Sequence, residues 1–312
     1  MKIAMIGSGG FAQAHLEALA AEPGVEVVGH VSRTAERTEA AARRWGGRAY
    51  PTCQELLDNE SVEAAWITVP PGSHGAIERC LIEHRVPFFV EKPLSADRET
   101  GEEIGRALAA QGLIAGVGYH WRAMDTMPEV RAALAERPAQ LLLAAWHGST
   151  PPPGWWRRQE TSGGQMVEQA THLFDIARHL LGEATVVTAT AGRHQRAAYP
   201  GLDVATTSTA LIRFDSGATG AFTATCLLDG AEEVYVKLVS EGQLVTINRA
   251  GVSFERGRER RFLRLGEKPI VRENRAFLEA IRHNDDTLLF SSYRDALETH
   301  RLCFDVLEAA GG

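Results

Sequence analysis

The chain opens "MKIAMIGSGGFAQAHLEALA", residues 1–20. An apolar run, Lys2–Ile6, meets a glycine-rich turn, and an alanine-rich segment with helical spacing follows. Gly7-Ser8-Gly9-Gly10-Phe11-Ala12 fits the pattern G-x-G-x-x-A. Glycines at such a turn permit a tight reversal and let the backbone approach a pyrophosphate, which a helix N-terminus attracts. Glycine-rich turns are common, but a strand before and a helix after supply the context that dinucleotide binding requires. Gly7, Ser8, Gly9, Gly10, Phe11 and Ala12 are therefore the first cofactor-binding candidates.

Outward from this stretch, short apolar runs recur at 25–31, 64–69, 87–90 and 113–119, with amphipathic segments such as 12–21 and Ala35–Trp45 between them. Strands separated by helices predict βαβ units and a doubly wound parallel sheet. Beyond about residue 140 the texture changes. One helix is expected over 165–181, followed by alternating runs at 186–190, 206–214, 218–227, 234–240 and 244–248. Asp215-Ser216-Gly217 and Glu241-Gly242 are hairpin signals. Residues 274–310 read as helix with a break around 284–292. The expectation is an α/β protein with two domains. Residues 1–120 form a nucleotide-binding Rossmann domain; residues 121–312 form an α/β domain with a large, mostly antiparallel open sheet that binds substrate and associates.

The 312 residues carry 44% hydrophobic and 23% charged side chains, an ordinary globular composition. A net charge of −7 argues against nucleic acid or an anionic membrane as partner. No apolar run approaches the roughly 18–20 residues of a membrane span. The four cysteines, Cys53, Cys80, Cys226 and Cys303, form no CxxC pair. They read as core residues in a reducing compartment, and the chain starts in a strand rather than a signal-peptide pattern, so a cytoplasmic protein is expected. The alternating runs between 206 and 248 leave an apolar sheet face to cover, which predicts a homodimer or homotetramer.

The second strand bears on which dinucleotide binds. NAD(H) sites usually place Asp or Glu at its end to hold the ribose 2′-hydroxyl. Here the strand ends Gly29-His30-Val31-Ser32-Arg33, with Arg37 one turn further on. A serine and arginines can hold a 2′-phosphate that a carboxylate would repel. Ser32, Arg33 and Arg37 favour NADP(H), with NAD(H) as the alternative.

Two further motifs complete the pattern. "FFVEKPLSAD", residues 88–97, ends an apolar run in Glu91-Lys92-Pro93. "GGQMVEQATHLFD", residues 163–175, fits G-G-x-x-x-[DE]-x-x-x-H-x-x-D. With the N-terminal turn, these motifs in this order resemble the glucose-fructose oxidoreductase/inositol dehydrogenase (Gfo/Idh/MocA) family over nearly the whole chain. The resemblance implies NAD(P)-dependent oxidation or reduction, typically of a sugar or cyclitol. It implies that Lys92 is the catalytic lysine, flanked by Glu91 and Pro93, and that His172 is the histidine of the second domain. Glu168 stands where most members have aspartate, and Ala170 where many have glycine. Val69, Pro70 and His74 match a cofactor-facing loop. Gly118, Tyr119 and Arg122 match the segment that leads into the second domain.

The residues support these roles chemically. Proline lacks an N–H and biases Lys92 away from helix, so the lysine leaves the sheet at its carboxyl edge, where ligands of such sheets bind. An ammonium there stabilises the alkoxide that forms as hydride departs. Glu91 reads first as a support for this loop or lysine and counts with the cofactor-binding group. Glu168, His172, Asp175 and His179 form a polar stripe at helical spacing. An imidazole suits a general base, and Glu168 would orient His172 or contact substrate. No HxxxH or HxH pair accompanies the stripe, so no metal is expected. Trp155, Trp156 and Arg157 offer aromatic faces and a cation to a sugar, and His120, Trp121 and Arg122 are candidates for the same surface. The leading expectation is an NADP(H)-dependent oxidoreductase acting on a secondary alcohol or ketone. Its rivals are a non-redox enzyme that uses nicotinamide transiently, as in glycoside cleavage, and a ligand-sensing protein without turnover.

Overall fold

The computed structural model describes residues 1–230 and 232–311. They divide into two compact units: Met1–Ala123 with Pro269–Leu297, and Met124–Lys268 with the chain from Glu298 onward. The division expected at 120/121 therefore omits a returning segment, 269–297, that belongs to the first unit.

The first unit runs β1 (Lys2–Ile6), α1 (Gly10–Leu19), β2 (Glu26–Val31), α2 (Ala35–Trp45), β3 (Arg48–Tyr50), α3 (Cys53–Asn59), β4 (Ala64–Ile67), α4 (Ala76–Glu83), β5 (Phe88–Val90), α5 (Arg98–Gln111) and β6 (Ala115–Val117). Its six strands are all parallel, in the order β3-β2-β1-β4-β5-β6. Both faces are covered, so β1 and β4 are apolar almost throughout and buried. β3 was not anticipated, because Arg48-Ala49-Tyr50 sits at the sheet edge and carries no apolar run. Successive strands are added to one side of β1 and then, from β4, to the other, and this switch in strand order places a ligand crevice outside the carboxyl ends of the strands. Gly7, Ser32 and Glu91-Lys92 follow β1, β2 and β5 at that same edge.

The second unit contains α6 (Met127–Glu136), β7 (Leu141–His147), α7 (Gln159–Ser162), α8 (Gln165–Glu168), α9 (Thr171–Leu181), β8 (Ala184–Gly192), β9 (Thr207–Phe214), β10 (Thr219–Thr225), β11 (Glu233–Ser240), β12 (Gln243–Asn248), β13 (Gly251–Arg256) and β14 (Glu259–Arg264). Its eight strands lie in the order β14-β13-β12-β11-β7-β10-β9-β8. All pairs are antiparallel except β7 with β10. Burial alternates along β9 to β12, as a sheet covered on one face requires. Phe222 of the inner face stacks on Phe174 of α9 at 4.5 Å between centroids. The outer face carries a register row Leu211, Ala221, Leu143, Lys237, Thr246, Ser253, Phe262. In that row Leu143, Leu211 and Phe262 are 37%, 45% and 46% exposed.

The helix expected over 165–181 is two helices. Gln169 and Ala170 both donate their N–H to Gln165 O, a turn that ends α8 before α9 begins. Met166, Val167, Ala170, Leu173 and Phe174 are buried on both sides of the break. The apolar periodicity therefore continues through the break, and nothing in it reveals the turn.

The chain closes with α10 (Pro269–His283) and α11 (Tyr293–Ala309), and the expected break lies between them. Phe277 of α10, fully buried, meets Trp66 of β4 edge-on at 5.1 Å and Phe89 of β5 at 5.7 Å. Burying a phenylalanine contributes about 1.5–3 kcal/mol, so this side chain anchors the returning segment on the first unit.

Candidate active site

The glycine turn contains two kinds of glycine. Gly7 has φ +118, and a Cβ there would lie 2.3 Å from Thr68 Oγ1; protein packing alone demands glycine. Gly9 and Gly10 would meet nothing within 4 Å. Their backbone faces open space at the start of α1, a helix with no acidic residue in its first turn. Such an N-terminus favours an anion. Phe11 is half exposed beside it, and Ala12 is buried against the sheet. At the end of β2, Ser32 Oγ lies 2.8 Å from Thr38 Oγ1 and 3.2 Å from Thr34 O. Arg33 and Arg37 are exposed. Open glycine backbone, an uncompensated helix end and a cationic rim fit a dinucleotide.

The loop after β4 is clipped to α4. His74 Nδ1 lies 2.6 Å from Glu78 Oε1, while Gly75 N donates to Glu78 Oε2 at 2.6 Å. His74 Nε2 is buried and has no hydrogen-bond partner among the described residues. Val69 and Pro70 precede this turn, half buried.

At the end of β5, Glu91 N donates to Ile67 O at 2.9 Å, and the Lys92–Pro93 peptide is cis. Lys92 is half buried; Glu91 is 5% exposed, with Oε1 2.9 Å from His15 Nε2. A Cβ at Gly118 would stand 2.7 Å from that same oxygen, so the carboxylate requires glycine there. Tyr119 and Trp121 are each 1% exposed. Arg122 pairs with Asp295, and its Nη1 donates to Phe290 O at 3.5 Å. Tyr119, Trp121 and Arg122, the candidates from the segment leading into the second domain, are buried, and the charge of Arg122 is already engaged.

In the second unit, His172 opens α9, 3% exposed, its ring stacked on Trp146 at 5.9 Å and 13°. Glu168 ends α8 and accepts from Trp156 Nε1 at 2.7 Å. Trp156 is 1% exposed in a cluster with Val204 and Cys226, so its ring is enclosed rather than offered to a sugar; Trp155 packs on the cluster's edge. The guanidinium of Arg157 lies over the Tyr199 ring at 4.9 Å and donates to Pro152 O at 3.0 Å. Asp175 accepts from Thr299 Oγ1 at 3.1 Å inside the unit, and His179 contacts Arg131. The expected stripe therefore divides: the turn separates Glu168 from His172, and Asp175 is interior. A surface groove of about 530 Å³, lined by Glu136, Phe254 and Arg256 among others, contains none of these residues.

Comparison with known proteins agrees with this architecture. Residues 1–119 match the oxidoreductase family with an NAD-binding Rossmann fold, and residues 140–253 match the GFO/IDH/MocA C-terminal domain. The chain belongs to the Gfo/Idh/MocA family. It is 27% identical over 235 residues to scyllo-inositol 2-dehydrogenase (NAD(+)) of Bacillus subtilis, covering 70% of this chain and 66% of that enzyme. Among solved structures, a 3-ketoreductase from Actinomadura kijaniata with NADP and TDP-benzene has TM-score 0.87 at 22% identity, covering 99% of this chain and 97% of that one. A levoglucosan dehydrogenase with NADH and levoglucosan has TM-score 0.88 at 19% identity, covering 100% and 97%. The family is one of NAD(P)-dependent oxidoreductases that includes sugar and cyclitol dehydrogenases, and this member is an NAD(P)-dependent dehydrogenase or reductase. Among the described residues no helix is long and apolar enough to cross a membrane.

The Gfo/Idh/MocA motifs do not include four buried residues around Glu91: His15, Trp66, Glu273 and Asn274. A signal for them was present. His15 shares the apolar spacing of Ala12, Leu16 and Leu19, and Glu273 and Asn274 share that of Phe277 and Leu278. Polar residues on a helix's apolar face must find partners inside.

Proposed function

We propose that this protein is an NADP(H)-dependent oxidoreductase for a secondary alcohol or ketone of a sugar or cyclitol. The carrying observation is the end of β2, where Ser32 replaces the usual acid and is tied to Thr38, with Arg33 and Arg37 exposed beside it. No carboxylate at that position repels a 2′-phosphate, and two guanidiniums can bind it. The open backbone at Gly9 and Gly10 would hold the pyrophosphate. The Val69-Pro70 loop and His74 would border the coenzyme. Bound coenzyme supplies the hydride acceptor or donor.

Lys92 offers an ammonium to the oxygen that becomes an alkoxide, and His172 accepts or returns its proton. The Trp146 ring stacked on His172 limits the imidazole's rotation. One oxygen of Glu168 is held by Trp156, which leaves that carboxylate oriented to help place substrate. The inositol dehydrogenase relative supports a cyclitol or sugar as substrate class.

Fluorescence titration tests the coenzyme assignment: NADPH should bind more tightly than NADH, and Ser32→Asp should narrow or reverse the gap. A wild type that prefers NADH about tenfold, 1.4 kcal/mol, refutes it. A screen of sugars, inositols and their keto forms, read by net coenzyme absorbance, tests the reaction and separates it from a cycle that regenerates its own coenzyme.

A further inference from the structure

Glu91, the residue before Lys92, belongs to a buried polar cluster whose proton positions follow from its geometry. Trp66 Nε1 donates to Asn274 Oδ1 at 2.8 Å. An indole nitrogen can only donate, so the Asn274 atom facing it is the oxygen. That same oxygen lies 2.8 Å from His15 Nδ1, which must therefore carry a hydrogen. In neutral His15 the other nitrogen, Nε2, would then hold a lone pair. Nε2 faces Glu91 Oε1 at 2.9 Å. Two lone pairs do not share that distance without a proton between them. Either His15 is an imidazolium beside a carboxylate, or Glu91 is a carboxylic acid; in both cases the pair is neutral as a whole.

Glu273 completes the group. It is 4% exposed, its Oε1 has no hydrogen-bond partner among the described residues, and it brings an oxygen within 4.8 Å of His15 and Glu91. Burial, and then the charge of Glu91, push its carboxyl well above the usual range. The groups that face Glu91 are thus His15 from α1, Glu273 from α10 and Gly118 after β6, which has no side chain, while Asn274 of α10 and Trp66 of β4 reach it through His15.

We propose that His15, Trp66, Asn274 and Glu273 are positioning residues for Lys92, keeping a proton between His15 and Glu91 so that the lysine stands on an electrically neutral support. A carboxylate one residue away would otherwise compete with the reacting oxygen for the ammonium. The role given to Lys92 rests on the function proposed above; the proton arrangement does not.

The test needs neither substrate nor turnover, so it can fail without touching the oxidoreductase reading, which Lys92→Met tests separately. The chain has four lysines, Lys2, Lys92, Lys237 and Lys268. Reductive ¹³C-methylation gives each a resonance, and Lys92→Met identifies the one required. Histidine ¹⁵N labelling, with His15→Phe as the assignment control, reports both ring nitrogens of His15. The expected result at neutral pH is a His15 whose Nδ1 carries a hydrogen and whose Nε2 shares one with Glu91, read from the two ring ¹⁵N shifts. In His15→Phe, which retains the ring against Phe89, the Lys92 resonance should move from its wild-type position, because Glu91 is no longer neutralised. If that variant does not fold, Trp66→Phe replaces it: Asn274 is released to turn its amide, and the ring ¹⁵N shifts of His15 change as Nδ1 gives up its hydrogen. A wild-type His15 whose Nδ1 carries no hydrogen overturns the proposal. So does an unmoved Lys92 in His15→Phe, an unmoved His15 in Trp66→Phe, or a stoichiometric divalent cation in the purified protein, which would displace the proton.

Discussion

Replacing Glu273 with glutamine isolates the energetic consequence of its burial. The carboxyl is raised by desolvation first and by the Glu91 charge second, so the folded state keeps a proton that the unfolded chain loses near the usual glutamate value of about 4.3. Stability from the protonated side chain is therefore complete below that value. It declines as pH rises towards the folded value, at about 1.4 kcal/mol per pH unit. Glutamine has similar shape, no charge and no proton to lose, so Glu273→Gln removes this slope. The variant should match the wild type at about pH 4.5 and gain on it by roughly 1.4 kcal/mol for each unit above. At about 2–4 °C per kcal/mol for a chain segment of this size, the gap in Tm widens by roughly 3–6 °C per pH unit. Urea unfolding followed by tryptophan fluorescence at a series of pH values measures the difference. Parallel curves, with a variant-to-wild-type gap that does not change with pH, would show Glu273 ionised in the fold and refute the reasoning.

Lys92→Met should lower kcat by about 10²–10³ with coenzyme affinity nearly intact, and Lys92→Arg should restore little because a planar guanidinium places its charge differently; turnover within a few-fold of wild type would make the lysine structural. His172→Ala should reduce kcat and flatten the acidic limb of the pH–rate profile, and a limb that persists assigns the proton to another group. Gly7→Ala should abolish coenzyme binding or folding, since its Cβ would overlap Thr68 at 2.3 Å and φ is +118; titration with NADPH and a melting curve decide this. Light scattering should report a homodimer or homotetramer, and Leu143→Arg together with Leu211→Arg on the open sheet face should shift it towards monomer; a wild-type monomer at micromolar concentration contradicts it.

Local patterns were sufficient for much of this protein. Lys2–Ile6 followed by G-x-G-x-x-A marks a parallel strand, a tight turn and a helix, because each signal acts within a few residues. The same holds for Lys92-Pro93, where proline itself ends the strand. It holds too for the alternating runs of β9 to β12, whose period of two follows from a sheet buried on one face. β3, β7, β13 and β14 are not marked by such runs. In β14 all but one residue are exposed, so no alternation remains, and β7 is buried without interruption from Ala144 to Trp146.

The sequence by itself determined the family motifs, the order of the elements and the chemistry of the residues at the strand ends. Tertiary structure alone decided which of those residues reach outward. Tyr119, Trp121, Arg122, Trp156 and His172 are all buried, which their residue types do not announce. It also decided that α10 returns to the first unit and sets Glu273 and Asn274 against His15 and Glu91, residues 76 to 259 positions apart along the contacts it makes. Periodicity records that a side chain is buried, but the partner that satisfies it, and the proton held between them, depend on contacts that only the folded chain brings together.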